Sequence, residues 1–174
     1  LENLKQKKQS NNIALISLGC PKNLVDSEII LAALSDAGYD FTQDHTRADV
    51  IIVNTCTFIE EATSESIQKL LEVSKNRRDE NVRIIAAGCM AQRYAEDILA
   101  QFPEVSSVLG TGNLKDILKA VGSEERCIYV DDIDSISCFT ENRSISTPLS
   151  YAYLRIAEGC DKKCTYCIIP YLRG

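Results

Sequence analysis

Asp49-Val50-Ile51-Ile52-Val53-Asn54 is the stretch that decides the fold. Four aliphatic residues follow one another with no polar alternation, in a run too short for a helix. Such a run suits a strand buried on both faces, the situation of a parallel sheet covered by helices. Similar short apolar runs lie on either side of it, at Ile13 to Leu18, Val82 to Ala87, Val105 to Leu109 and near Cys127 to Val130, with a short strand predicted over Tyr39 to Thr42. Between them the period changes to that of a helix. Leu24 to Ala37 repeats apolar residues at helical spacing and stops at Gly38. A helix from about Phe58 to Asn76 carries Glu60 and Glu61 in its first turn and Lys75, Arg77 and Arg78 near its end, matching the helix macrodipole. Further helices are predicted over Ala91 to Gln101, closed by Pro103, and over Leu114 to Ala120. This alternation predicts an α/β domain over residues 13–131: an open parallel sheet with helices on both faces, a Rossmann-like three-layer arrangement.

The flanks read differently. Residues 1–12 are polar and predict a flexible lead-in. Asp131, Asp132 and Asp134 open a Ser/Thr-rich stretch ending at Thr147-Pro148, so 132–150 reads as a linker and the acidic cluster as solvated surface. Tyr151 to Ala157 predicts one new strand running into Glu158-Gly159-Cys160, so 151–174 reads as the beginning of a further domain. The sole methionine is Met90, and a chain starting at Leu1 reads as part of something longer.

The 174 residues are 45% apolar, enough for a real core. A net charge of −6 argues against a general affinity for phosphate backbones, so no direct nucleic-acid binding is expected from this segment. No apolar run approaches the roughly 20 residues of a membrane span. The basic start has no apolar stretch behind it, which predicts a cytoplasmic, reducing setting and no membrane partner.

Eight cysteines, at 20, 56, 89, 127, 138, 160, 164 and 167, then point to metal or catalytic thiols rather than disulfides. Three of them end strands in similar ways: Leu18-Gly19-Cys20, Asn54-Thr55-Cys56 and Ala87-Gly88-Cys89. Open parallel sheets bind ligands beyond the carboxyl ends of their strands. If the three strands are neighbours, about 4.8 Å apart, their ends converge on one patch. Helix N-termini there would lower the thiol pKa values. Three ligands suit an iron–sulfur cluster with one open iron better than a structural zinc, which takes four; three buried free thiols are the plainer alternative. Cys127, Cys138 and His45 have no such context and read as packing or surface. Asn23, Asp26 and Ser27 are candidates for tuning a cluster on Cys20, and Asn23 is equally well placed to cap the helix that begins at Leu24.

The second set, Cys160-Asp161-Lys162-Lys163-Cys164-Thr165-Tyr166-Cys167, spaces three thiols on one loop, enough for three corners of a cubane, with zinc needing a fourth ligand from elsewhere. This triplet resembles the signature of radical S-adenosylmethionine (SAM) enzymes. Tyr153-Leu154-Arg155-Ile156-Ala157-Glu158-Gly159 and Cys167-Ile168-Ile169-Pro170-Tyr171-Leu172-Arg173-Gly174 are similar to the methylthiotransferase branch. Ser17-Leu18-Gly19-Cys20-Pro21-Lys22-Asn23-Leu24-Val25-Asp26-Ser27-Glu28 is most similar to its RimO-type members, which methylthiolate an aspartate β-carbon of ribosomal protein S-twelve. The resemblance implies two 4Fe-4S clusters, one on Cys20, Cys56 and Cys89 and a SAM-binding one on Cys160, Cys164 and Cys167. It implies ribosomal protein S-twelve as substrate and an electron donor such as flavodoxin or ferredoxin. It also implies that 151–174 is the first strand and cluster loop of a truncated radical SAM barrel. By itself such a chain is expected to be inactive, with 158–174 poorly ordered unless a cluster or crystal contact holds it. The alternatives are a MiaB-type tRNA methylthiotransferase and a non-enzymatic metal or electron-transfer module.

Overall fold

The computed structural model describes residues 12–133 and 142–174. Cys138, most of the polar lead-in and part of the linker lie outside the described residues. Six strands form one sheet: β1 (Asn12–Ser17), β2 (Asp40–Phe41), β3 (Val50–Thr55), β4 (Arg83–Gly88), β5 (Val105–Leu109) and β6 (Cys127–Tyr129). All neighbours pair in parallel, in the order β2-β1-β3-β4-β5-β6. Each connection carries a helix or helical turn: α1 (Pro21–Asp36), α2 (Glu60–Asn76), the pair α3 (Cys89–Arg93) and α4 (Ala95–Gln101), and α5 (Ile117–Gly122). The order reverses between β1 and β3, because the chain leaves β1 in one direction for β2 and returns past β1 to build the rest. That reversal leaves a crevice outside the strand ends, the usual ligand site of such sheets.

The Val50–Val53 run is buried throughout and feeds two cores, as a strand covered on both faces must. Ile51 and Val53 point to one layer with Ile84, Ala86, Leu70, Val73, Ile98 and Phe102, under α2 and α4. Val50 and Ile52 point to the other with Ile85, Val25, Ile30, Leu34, Ile117 and Val121, under α1 and α5. Every residue of β3 is buried, so the predicted three-layer sheet is what the chain forms. No described helix is long and apolar enough to cross a membrane.

Four local expectations need correcting. α1 begins at Pro21, not Leu24: proline lacks the N–H that a first helical turn leaves unpaired anyway, and Cys20 rather than Asn23 is the cap. The helix expected over Ala91 to Gln101 is two helices that meet at Tyr94, whose φ of −128° and ψ of 36° are not helical. The bend lets Met90 and Ala91 on one helix and Ile98 on the other all reach the same core. The helix expected from Leu114 starts as a single 3₁₀ turn, Leu114–Asp116, before α5. Tyr151 to Ala157 is not a strand. Isolated extended chain has no ladder partner for its N–H and C=O groups, and no described strand lies beside this one. After it, α6 (Ile169–Arg173) ends with Leu172 and Arg173 buried. Within this last segment Cys160 N–H donates to the Gly174 carbonyl at 2.8 Å, and Thr111 Oγ1 of the domain donates to the Leu172 carbonyl at 2.6 Å.

Candidate cysteine clusters at the strand ends

β1, β3 and β4 are adjacent, so Cys20, Cys56 and Cys89 leave the sheet side by side at the crevice. Gly19 has φ of 86°, and a Cβ there would stand 2.6 Å from Cys56 Cβ and 2.8 Å from Cys56 Sγ, so only glycine lets the first strand end approach the second thiol. Ser66 of α2 pins the Cys56 backbone from both sides, accepting from its N–H at 2.9 Å and donating to its C=O at 2.8 Å. Cys56 and Cys89 are buried, whereas Cys20 is exposed and lines a small cleft with Leu24 and Tyr153.

Asn23 organises the patch. Its Nδ2 donates to the carbonyls of Leu18 at 3.0 Å and Thr55 at 2.8 Å, tying the ends of β1 and β3 together. Its Oδ1 accepts from Cys89 Sγ at 3.4 Å. Of its two sequence readings the capping role falls away, and the side chain lies against Cys89 rather than Cys20. Asn54 continues the polar seam, donating to the Asn23 carbonyl at 2.8 Å and to Ser27 Oγ at 2.9 Å.

Burial pushes the Cys89 thiol up to about 11, against the pull of the Arg173 guanidinium. Burial thus acts against the acidification expected of a helix N-terminus at this thiol. Arg173 was missed from the sequence as a site residue. Its Nη2 donates to Cys89 Sγ at 3.3 Å and Asn23 Oδ1 at 2.6 Å; its Nη1 donates to Asp26 Oδ2 and to Glu158 Oε1 at 3.2 Å. Arg155 closes the network, donating to Asp26 Oδ1 at 3.1 Å and Glu158 Oε2 at 3.0 Å. Burial holds the Asp26 carboxyl above its ordinary value, a rise that the two guanidiniums offset only in part. Burial also works against the charge of Arg173, but Asp26, Cys89 and Glu158 outweigh it and hold that guanidinium protonated.

Cys160, Cys164 and Cys167 line an open cavity of about 970 Å³ together with Gln92, Asp131 and Asp132. The two aspartates are exposed, as expected, and Asp131 also accepts from Asn113 Nδ2 at 2.7 Å. Cys127 and His45 stay outside both sets: Cys127 is half-buried beside Ser123, and His45 lies in a surface 3₁₀ turn.

Among the described residues, no three Cys, His, Asp or Glu side chains gather as the ligands of one ion would. A zinc site, with its ligands around a single metal, has no such set there. A cubane places each thiolate on a different iron and so asks for thiols spread over a wider ring. Three thiols at adjacent strand ends, a glycine that opens the approach to Cys56 and a buried guanidinium opposite are a donor set that fits such an anionic cluster, and the three thiols lining one cavity fit a second.

Residues 12–110, which contain the first cysteine set, match the family described as "Uncharacterized protein family UPF0004". The chain is 47% identical over 166 residues to "Ribosomal protein uS12 methylthiotransferase RimO" of Lachnoclostridium phytofermentans. It is 44% identical over 172 residues to the protein of the same name from Acetivibrio thermocellus, and 46% over 168 residues to that from Clostridioides difficile. These matches take in 93% of the chain but only 37–38% of the relatives, so the chain spans well under half of their length. A Streptococcus pneumoniae flavodoxin, 15% identical with a TM-score of 0.36, is too distant to bear on function.

Proposed function

The chain belongs to the UPF0004 family, and on that premise we propose that it is part of a radical SAM methylthiotransferase that modifies an aspartate of ribosomal protein uS12. The supporting observation is the placement of Cys20, Cys56 and Cys89 at the ends of three neighbouring strands, with a second three-thiol loop fastened beside them. The identity to relatives that carry the uS12 methylthiotransferase name supports the substrate.

In this reading Cys20, Cys56 and Cys89 hold one 4Fe-4S cluster and Cys160, Cys164 and Cys167 a second. Bound there, the second cluster with SAM would supply radical chemistry and the first the sulfur. The chain's own residues provide the setting. Asn23 ties β1 to β3, and Ser66 fixes the Cys56 backbone, so two of the thiols start from defined positions. Burial keeps water from Cys56 and Cys89, which suits an oxygen-sensitive group. The Arg173, Asp26, Arg155 and Glu158 network holds the loop of the second set against the first. The electron donor, a flavodoxin or ferredoxin, and a cytoplasmic setting belong to the same proposal.

The test is anaerobic reconstitution of the chain with iron and sulfide, with iron counting and electron paramagnetic resonance. About four irons per set are expected. Replacing Cys20, Cys56 and Cys89 with alanine should remove one set, and replacing Cys160, Cys164 and Cys167 the other. Tight zinc in place of iron, or no iron at all, would sink the reading.

A further inference from the structure

Arg173 is among the largest fully buried side chains in the molecule, only 2% exposed, yet it belongs to the loop of the second cysteine set and not to the domain that buries it. Its guanidinium reaches Asn23, Asp26 and Cys89 across 150, 147 and 84 residues of chain. Around it, Arg173 and Arg155 both pair with Asp26 and Glu158, and Lys22 stands 3.9 Å from Glu158 at the solvent edge. The guanidinium is thus a buried cationic donor already aimed at the Cys89 sulfur, 3.3 Å away.

We propose that Arg173 is a positioning residue for the first cysteine set: it holds Cys89 by a hydrogen bond to Sγ and supplies positive charge against the cluster bound there, so that it sets that cluster's reduction potential. The inference rests on the cluster reading above. Adding an electron makes a cluster more negative, so a nearby guanidinium and an N–H donated to a ligand sulfur stabilise the reduced form and raise the potential. Removing Arg173 lowers it. The loop that carries the second set thereby adjusts the chemistry of the first.

The experiment uses the full chain with Cys160, Cys164 and Cys167 replaced by alanine, so that only the first set loads on reconstitution with iron and sulfide. Iron per chain is counted, and the potential is read by titration with dithionite and mediators under electron paramagnetic resonance. Arg173→Met and Arg173→Lys are compared with Arg173→Met/Asp26→Leu, which removes the carboxylate that the single methionine variant would strand in the interior. The expected result is unchanged iron with a potential lower by about 59 mV, a tenfold step for a one-electron couple, in both methionine variants and partial recovery with lysine. Loss of iron from the methionine variants that lysine restores also supports positioning. Equal potentials in all iron-loaded variants overturn the inference and leave Arg173 a clamp between segments. Loss of iron from every variant, lysine included, overturns it too. Absence of iron from the parent defeats the cluster reading and the inference together, a result distinct from equal potentials in loaded protein.

Discussion

Gly88 and Gly38 share almost the same φ, 90° and 84°, yet alanine at the two positions should behave very differently. At Gly38, just beyond α1, a Cβ meets nothing within 4 Å. The cost there is the left-handed backbone alone, about 1–2 kcal/mol. At Gly88 the ψ is −155°, a combination essentially reserved for glycine, which costs about 1–3 kcal/mol for another residue. A Cβ would also stand 2.5 Å from the Thr55 carbonyl oxygen. Thr55 is the register partner of Gly88 in β3, so this neighbour is strand backbone and cannot swing away. Relieving the overlap means parting the ends of β3 and β4, an overpacking cost of about 1–3 kcal/mol more. Gly88→Ala should therefore lose about 2–6 kcal/mol, a large share of the stability of an ordinary domain. Urea unfolding of the metal-free chain followed by far-ultraviolet circular dichroism measures both variants. The reasoning is refuted if Gly88→Ala is no more destabilised than Gly38→Ala. Because Cys89 follows directly, a folded Gly88→Ala protein should also bind less iron at the first set.

Two further outcomes follow from the polar contacts. Glu28, 2% exposed, accepts from the Ser146 N–H at 2.7 Å and Ser146 Oγ at 2.8 Å and pairs with Arg143 at 3.2 Å, strapping the linker to α1. Charge-assisted bonds of this kind contribute about 1.5–3 kcal/mol, so Glu28→Ala should speed tryptic cleavage after Arg143 by about tenfold or more; an unchanged cleavage rate in a folded variant would show that the strap is not held there. The Asp116 carboxyl is held below its ordinary value by the Lys119 ammonium at 2.7 Å and by Asn113. A depressed carboxyl contributes stability that is present above its unfolded value and is lost as pH falls through the folded one. Asp116→Asn should accordingly lower stability at neutral pH and flatten its decline below about pH 4, the unfolded range of an aspartate; parallel curves for variant and parent would count against the assignment.

Much of the molecule was readable along the chain because its physics is local. The uninterrupted apolar Val50–Val53 run could only be a strand covered twice, and the helical spacing between such runs implied the layers. The likeness of the three strand endings singled out Cys20, Cys56 and Cys89 before any neighbour was known. Where local reading failed, partners were missing from the local view. Tyr151 to Ala157 has the composition of a strand, but composition cannot supply a ladder partner. The amphipathic view of α1 assigns its polar residues to water, whereas Asn23, Asp26, Ser27 and Glu28 are buried.

Those four residues mark the boundary between what periodicity determines and what the tertiary structure decides. Patterns in the sequence establish which residues lie inside an element and at its end, since one chain segment dictates its own period. Strand order established that β1, β3 and β4 are neighbours, and only the folded chain could bring Arg173 to Cys89 and turn Asp26 into its counter-ion. A buried charge is tolerated only where an opposite charge from elsewhere in the chain meets it, and no local pattern records where that partner will come from.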